Sequence, residues 1–218
     1  MHNYSSRIFN CIDEDVKNTW IKLEQSCDNH VFQSYNWISN WIKIFPSFNQ
    51  IFITVIYDHN EAIALFPMQI RKSFFCNILE FVGGDQSDYN SPLIRDSYNN
   101  SKLVELIWET VLKVLPKHDL MNLKRVPERL QNSENSICAI LPFKFTGDSY
   151  SIVLPSKKDG LDRLIPKKIR LDSRRQKKRL KRIGDLFIDQ DCKSKSKNEI
   201  IEKMIEQKRK KYLMTGVR

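Results

Sequence analysis

Hydrophobic positions along the chain change period several times, and each change marks a predicted element. Val16, Trp20 and Leu23 recur at i, i+4 and i+7, one face of a 3.6-residue period, and Asp13 and Asp15 stand in front of them as capping carboxylates. From Ser34 to Phe45 the large residues Trp37, Trp41 and Phe45 fall four apart with Ile38 and Ile42 beside them, predicting a second helix with a wide apolar face that ends at Pro46. The period then shortens. Ile51 to Tyr57 is a β-branched and aromatic run, Asp58-His59-Asn60-Glu61 is turn chemistry, and Ala62 to Ile70 resumes the run, so a β-hairpin is expected. A third strand, Ile78 to Val82, closes at Gly83-Gly84, and the polar stretch Asp85 to Ser91 reads as a loop. Ser101 is expected to cap a helix with Leu103, Leu106 and Ile107 directed inward, ending near Pro116, and short strands are expected at Leu120 to Leu123 and Tyr150 to Leu154.

Pro166 suits the first turn of a helix that runs to Ile183 and stops at Gly184. Its stripe, Ile169, Ser173, Gln176, Leu180 and Ile183, is apolar at its ends only. A strand at Leu186 to Ile188, a polar linker at Cys192 to Lys197 and a last helix from about Asn198 to Met214 complete the reading. Helices, a strand meander, a helix, further strands and a helix make a mixed α/β pattern and not a series of βαβ units. The glycine signatures of nucleotide-binding doubly wound sheets are missing.

Charge refines this picture. The 218 residues carry a formal net charge of +10. Between Arg163 and Arg182 stand eleven Lys/Arg against the single acid Asp172, so this one segment accounts for the whole excess. A neutral globule joined to a basic element is expected, a different object from a uniformly basic protein. Five cysteines at 11, 27, 76, 138 and 192, with no CxxC, favour neither a disulfide framework nor zinc, and a reducing cytoplasm is the expected location. Cys76 and Cys138 read as small core residues. The histidines at 2, 30, 59 and 118 have no ligand-spaced neighbours, so no metal site is expected. The N-terminus MHNYSSRIFNCIDED has no long apolar core, which argues against a signal peptide, and no apolar stretch approaches the length of a membrane span.

Six motifs occur in order: FQSYNWISNW, the hairpin ending ALFPM, LEFVGGDQSDYNSPLI, NLKRVPE, YSIVLP and DSRRQKKRLKRIGDLFI. Together they resemble the GNAT-fold acyltransferase family of the CelD-type cellulose-biosynthesis acetyltransferases, with the Fem-type peptidyltransferases as distant relatives. The resemblance implies a GNAT-like mixed sheet flanked by helices over residues 1–155, a basic linker helix region over 156–184 and a short C-terminal extension over 185–218. Members of this kind usually hold two GNAT-like halves, and too few residues follow Gly184 for a second sheet, so the expectation includes a truncated or split gene, a natural one-half variant or a subunit completed by another chain, with inactivity alone. The implied activity is transfer of an acyl group from acetyl-CoA or another acyl-CoA, as co-substrate, to a small-molecule amine or hydroxyl acceptor.

Candidate residues follow from both readings. Loop Gly83–Asn90 gathers two glycines, two carboxylates and a phenol behind a strand. For amine acylation Asp88 is the candidate general base and Tyr89 the hydroxyl donor, against a reading in which Asp88 and Asn90 simply bond the backbone of a tight loop. Gln33 is a candidate substrate amide or a helix-entry hydrogen-bonding group. Trp37 and Trp41 read as core. On the basic helix Arg174 stands at the offset before Gly184 where the Fem relatives place a phosphate-binding arginine, with Arg175, Lys178 and Arg182 as supplements. The competing function is nucleic-acid binding by helix 163–182, although no aromatics interleave its charges.

Overall fold

The computed structural model describes residues 4–45, 49–150, 152–156, 160, 164–187 and 196–216. It divides into two units, Met1–Asp148 and Ser149–Arg218. The fold of the first is mixed α/β, as the patterning predicts.

In the first unit, strands β1 (Ser5–Phe9), β2 (Asn49–Asp58), β3 (Glu61–Ser73) and β4 (Cys76–Phe81) form an antiparallel series. The two-residue strand β5 (Leu93–Ile94) pairs with the first half of β3, and β6 (Leu120–Met121) runs parallel to β4. The sheet order is β1-β2-β3-β4-β6, with β5 beside β3. Strand β1 lies outside the predicted elements. Its sequence, SSRIF, pairs with β2 on one side only, and an edge strand needs few apolar residues. The expected strand at 120–123 shrinks to two residues. Tyr150 and residues 152–154 form no strand and are exposed, as are the unstructured Leu186 and Phe187; Ile188 and Pro46 lie outside the described residues.

Alternation along β3 divides the core in two. Phe66, Met68 and Ile70 face α3 (Ser101–Leu112) together with Ile56, Leu79 and Phe81, and the short helix α4 (Ile137–Ile140) adds Ile137. Leu65 faces the other way, with Ile53, Val55, Val82 and Leu93, toward α1 (Glu14–Glu24) and α2 (Tyr35–Ile44). A bulge at Ile56/Tyr57 leaves Ile63 as an extra residue on β3, which lets adjacent Ile63 and Ala64 enter the same layer.

The helices begin where their caps dictate. Asp13 accepts from the Val16 N–H at 2.8 Å, and Ser34 from the Trp37 N–H at 3.1 Å. Helix α3 corrects the expectation in two respects. Asn100 is its cap, and Val104, Ile107, Trp108 and Val111 are its buried face, while Leu106 points to solvent. Trp108 fixes the phase, because its ring packs 5.8 Å from that of Phe66 on β3.

The second unit holds α5 (Lys167–Ile183) and α6 (Lys197–Thr215). Gly184 ends α5 as predicted, while Pro166 stands just before its first turn and not in it, and Ser196 caps α6 by accepting from the Glu199 N–H at 3.2 Å. No described residue of this unit is buried. Among the described residues of the chain, no helix is long and apolar enough to cross a membrane.

Candidate functional site

On the face of β3 turned toward α2, Leu65 gives way to Gln69 and Arg71. Gln69 lies directly opposite Glu80 of β4, and Arg71 lies on the diagonal. The Gln69 amide nitrogen donates to Glu80 Oε1 at 2.9 Å. Arg71 Nε reaches Oε1 at 3.3 Å and Oε2 at 3.4 Å. The Glu80 side chain is only 11% exposed. A buried carboxylate is tolerable when paired and hydrogen-bonded, and both conditions hold.

These three residues floor a cleft of about 470 Å³. Trp41 and Phe45 of α2 form one wall; Gly84, Asp85, Gln86 and Asn90 form the rim, and Asn122 and Lys124 close the far side. The two wall rings stand 5.2 Å apart. Ring faces, planar amides, two carboxylates and two cations lining one concavity can bind a polar molecule that has apolar faces.

Loop Gly83–Asn90 is held from both flanks. From the helical side, Trp37 Nε1 donates to Ser87 Oγ at 3.0 Å and Trp41 Nε1 to Gln86 Oε1 at 3.3 Å. Gln33 Nε2 donates to the Tyr89 carbonyl at 2.7 Å. From the other side, Arg125 Nη1 donates to the Asp85 and Ser87 carbonyls at 2.9 and 3.0 Å, and the Asn90 amide donates to the Lys124 carbonyl at 3.1 Å. Gly83 turns the chain with φ of 106°, and a Cβ placed there would lie 2.2 Å from Ser87 Oγ.

The candidates named from sequence separate into three groups. Gln33 is buried and both ends of its amide serve backbone, since Oε1 also accepts from the His30 N–H at 2.9 Å. It positions the loop, as helix-entry hydrogen bonding and more. Asp88 is 75% exposed on its side chain and faces Arg125 Nη1 at 3.6 Å, and the Tyr89 ring stacks on His30 at 4.7 Å. Neither lines the cleft. Of the two residues expected to brace the loop, Asn90 bonds backbone, while Asp88 has an ion-pair partner. Arg174, Arg175 and Lys178 belong to the second unit, where each is exposed and Arg175 pairs with Asp172 at 2.8 Å. Trp37 and Trp41 are not simply core, because each spends its indole N–H on the loop. Cys76 and Cys138 are partly exposed.

Sequence reasoning missed Gln69, Arg71, Glu80, Asn122, Lys124 and Arg125. The available signal was the polar alternation MQIRK at the end of a strand otherwise apolar on both faces. Among the described residues, no three His, Cys, Asp or Glu side chains group in a way that could hold a metal ion.

Comparison of the chain with protein-family models, with curated proteins and with solved structures returned no match. The fold and cleft define it, at the level they reach, as a mixed-sheet α/β protein with a polar cleft on one sheet face.

Proposed function

We propose that the first unit is the substrate-side half of a GNAT-like acyltransferase and that the cleft floored by Gln69, Arg71 and Glu80 holds the acceptor. The observation that carries this reading is the Glu80 carboxylate, sequestered on the sheet yet open to the cleft. A mixed sheet flanked by helices and followed by a basic helix, the arrangement the family resemblance implies, supports it.

In this reaction an amine nitrogen or hydroxyl oxygen of the acceptor attacks the thioester carbonyl of acyl-CoA. The new C–N or C–O bond forms, the C–S bond breaks, and the proton lost by the acceptor ends on the departing CoA sulfur. The acceptor needs a hydrogen-bond acceptor beside its nucleophilic atom, and Glu80 Oε2, whose contact to Arg71 is long at 3.4 Å, has lone-pair capacity for it. Gln69 and Arg71 hold that carboxylate in place, and the Trp41 and Phe45 rings offer faces to the acceptor's apolar parts. Glu80 thereby takes the role first considered for Asp88. On α5, the exposed Arg174, Arg175 and Lys178 are the groups this reading assigns to CoA phosphate.

Calorimetric titration of the full chain with acetyl-CoA, followed by an assay of CoA release across a panel of amines and amino sugars, tests the proposal. Binding of acetyl-CoA by the full chain is expected, and turnover, by the chain alone or once a chain supplying the second half is added, is expected to be lost in Glu80→Gln while the variant remains folded. Failure of the full chain to bind acetyl-CoA sinks it.

A second reading, nucleic-acid binding by α5, is favoured by one observation: this lysine- and arginine-rich helix is without a buried residue. Duplex affinity falling about a thousandfold or more between roughly 50 and 200 mM salt, with no binding of acetyl-CoA, is the result that selects it.

A further inference from the structure

The turn joining β3 to β4 has two residues, Phe74 and Phe75, between the paired Ser73 and Cys76. Both rings are fully exposed. Phe74 also adopts a left-handed φ of 47°. Hairpin loops of this length ordinarily place Gly, Asn or Asp at positive φ, because a bulky side chain is strained there. Phenylalanine at this position is unfavourable for the backbone and for the hydration of its ring, a combination characteristic of sites kept for a purpose other than stability.

The topology brings further residues to the same end of the sheet. Helices α2 and α3 end there, and β2 and β6 begin there. Phe45 shares the cleft with Arg71, and Asp119, just before β6, accepts from the Asn77 N–H at 2.7 Å. Ile44, Leu112 and Leu120 are exposed apolar residues of this end. Lys43, Lys72, Lys113 and Lys117 are its exposed cations. The acids of these segments are Asp119, already engaged, and Glu109, one turn back along α3. Acids outnumber bases in the first unit as a whole, so the lysines at this end are a local segregation of charge.

We propose that this end of the first unit docks on an anionic lipid surface, with Phe74 and Phe75 entering the boundary between headgroups and acyl chains and the lysines meeting lipid phosphates. Charge complementarity selects this occupant. Cores of protein–protein interfaces are depleted of lysine and take up their aromatic anchors in pockets, whereas a projecting apolar tip with surrounding lysines matches a bilayer interface, where each basic residue near the surface adds to affinity. The proposal is independent of the cleft and its chemistry.

The test is co-sedimentation of the full chain with phosphatidylcholine vesicles and with vesicles that also contain phosphatidylserine. The full chain is expected to partition onto the anionic vesicles. The double variant Phe74→Ser/Phe75→Ser is expected to lose about tenfold or more in partition, and Lys72→Glu to weaken binding, both with unchanged circular dichroism. In vesicles of brominated lipid, Phe75→Trp is expected to show fluorescence quenching beyond that of the native tryptophans. Absence of binding to anionic vesicles overturns the proposal. Equal binding by the double variant also overturns it and assigns the affinity to α5. Conversion of a dimer to a monomer by the double variant, without lipid, overturns it in favour of a second copy of the chain.

Discussion

Gln33 and Tyr89, 56 positions apart in the chain, are joined by a 2.7 Å hydrogen bond from the Gln33 side-chain nitrogen to the Tyr89 backbone carbonyl. The bond ties the short helical turn Val31–Gln33 to the loop that supplies the rim of the cleft, and Trp20 Nε1 secures the same turn by donating to the Gln33 carbonyl at 2.9 Å. Gln33→Leu keeps the volume and leaves the Tyr89 carbonyl and the His30 N–H without this partner. A loss of about 1–3 kcal/mol is expected from a buried site of this kind, read as a lower urea midpoint with an unchanged slope.

Gly83 makes the first turn of the same loop. An alanine there meets both a left-handed φ of 106° and the Ser87 Oγ that accepts from Trp37. Gly83→Ala is expected to cost about 1–3 kcal/mol. It is also expected to alter Trp37 fluorescence, because the indole loses its hydroxyl partner. Gly147→Ala, where nothing lies within 4 Å of the added carbon, is the control expected to leave both unchanged.

Asp28 sets part of the acid limb of stability. Burial works to raise its carboxyl, but hydrogen bonds from the backbone and side chains of Asn132 and Ser133 outweigh it and hold the group below the usual aspartate range. A carboxyl depressed in the folded state stabilises the fold above its unfolded value, near about 3.9, and that contribution disappears as pH falls through the lower folded value. Asp28→Asn is expected to lower stability at neutral pH and to flatten this part of the acid limb, measured by urea denaturation across pH.

Glu24 works in the opposite sense. Burial pushes its carboxyl up, and the hydrogen bond from the Tyr35 N–H offsets this only in part. A raised carboxyl favours the fold at low pH, and this contribution is lost as pH rises through the folded value. Glu24→Gln retains an oxygen for the Tyr35 N–H without the buried charge, so neutral-pH stability is expected to stay equal or rise. A fall would show that the charge itself is needed.

Cys27 is buried between α1 and the sheet, and burial pushes its thiol up to about 12. Cys11 is exposed. Mapping of iodoacetamide adducts on the native chain is expected to find Cys11 modified well before Cys27, with both labelled in urea.

Much of the architecture is local and therefore visible in one dimension. Asp13 before Val16, Ser34 before Trp37 and Ser196 before Glu199 are caps that act over three residues, and the hairpin partners of β2 and β3 are set by a short turn. The bracketing of α5 by Pro166 and Gly184 is of the same kind. Leu106 shows where local pattern fails. Its spacing fits an inward face, but Trp108 fills that face and turns Leu106 outward.

The cleft belongs to tertiary structure alone. Gln69 and Arg71 are two polar residues in an apolar strand until register sets Glu80 opposite them, and α2 must pack on the sheet before Trp41 and Phe45 become a wall. The loop was visible as a loop, yet its anchors, Gln33 and Arg125, reach it from 56 and 38 positions away. Periodicity, capping and charge density act through near neighbours, so the amino-acid sequence alone determined the helices, the hairpin and the basic segment. Hydrogen bonds between distant side chains depend on strand register and helix packing, so only the folded chain decided which polar residues share a site.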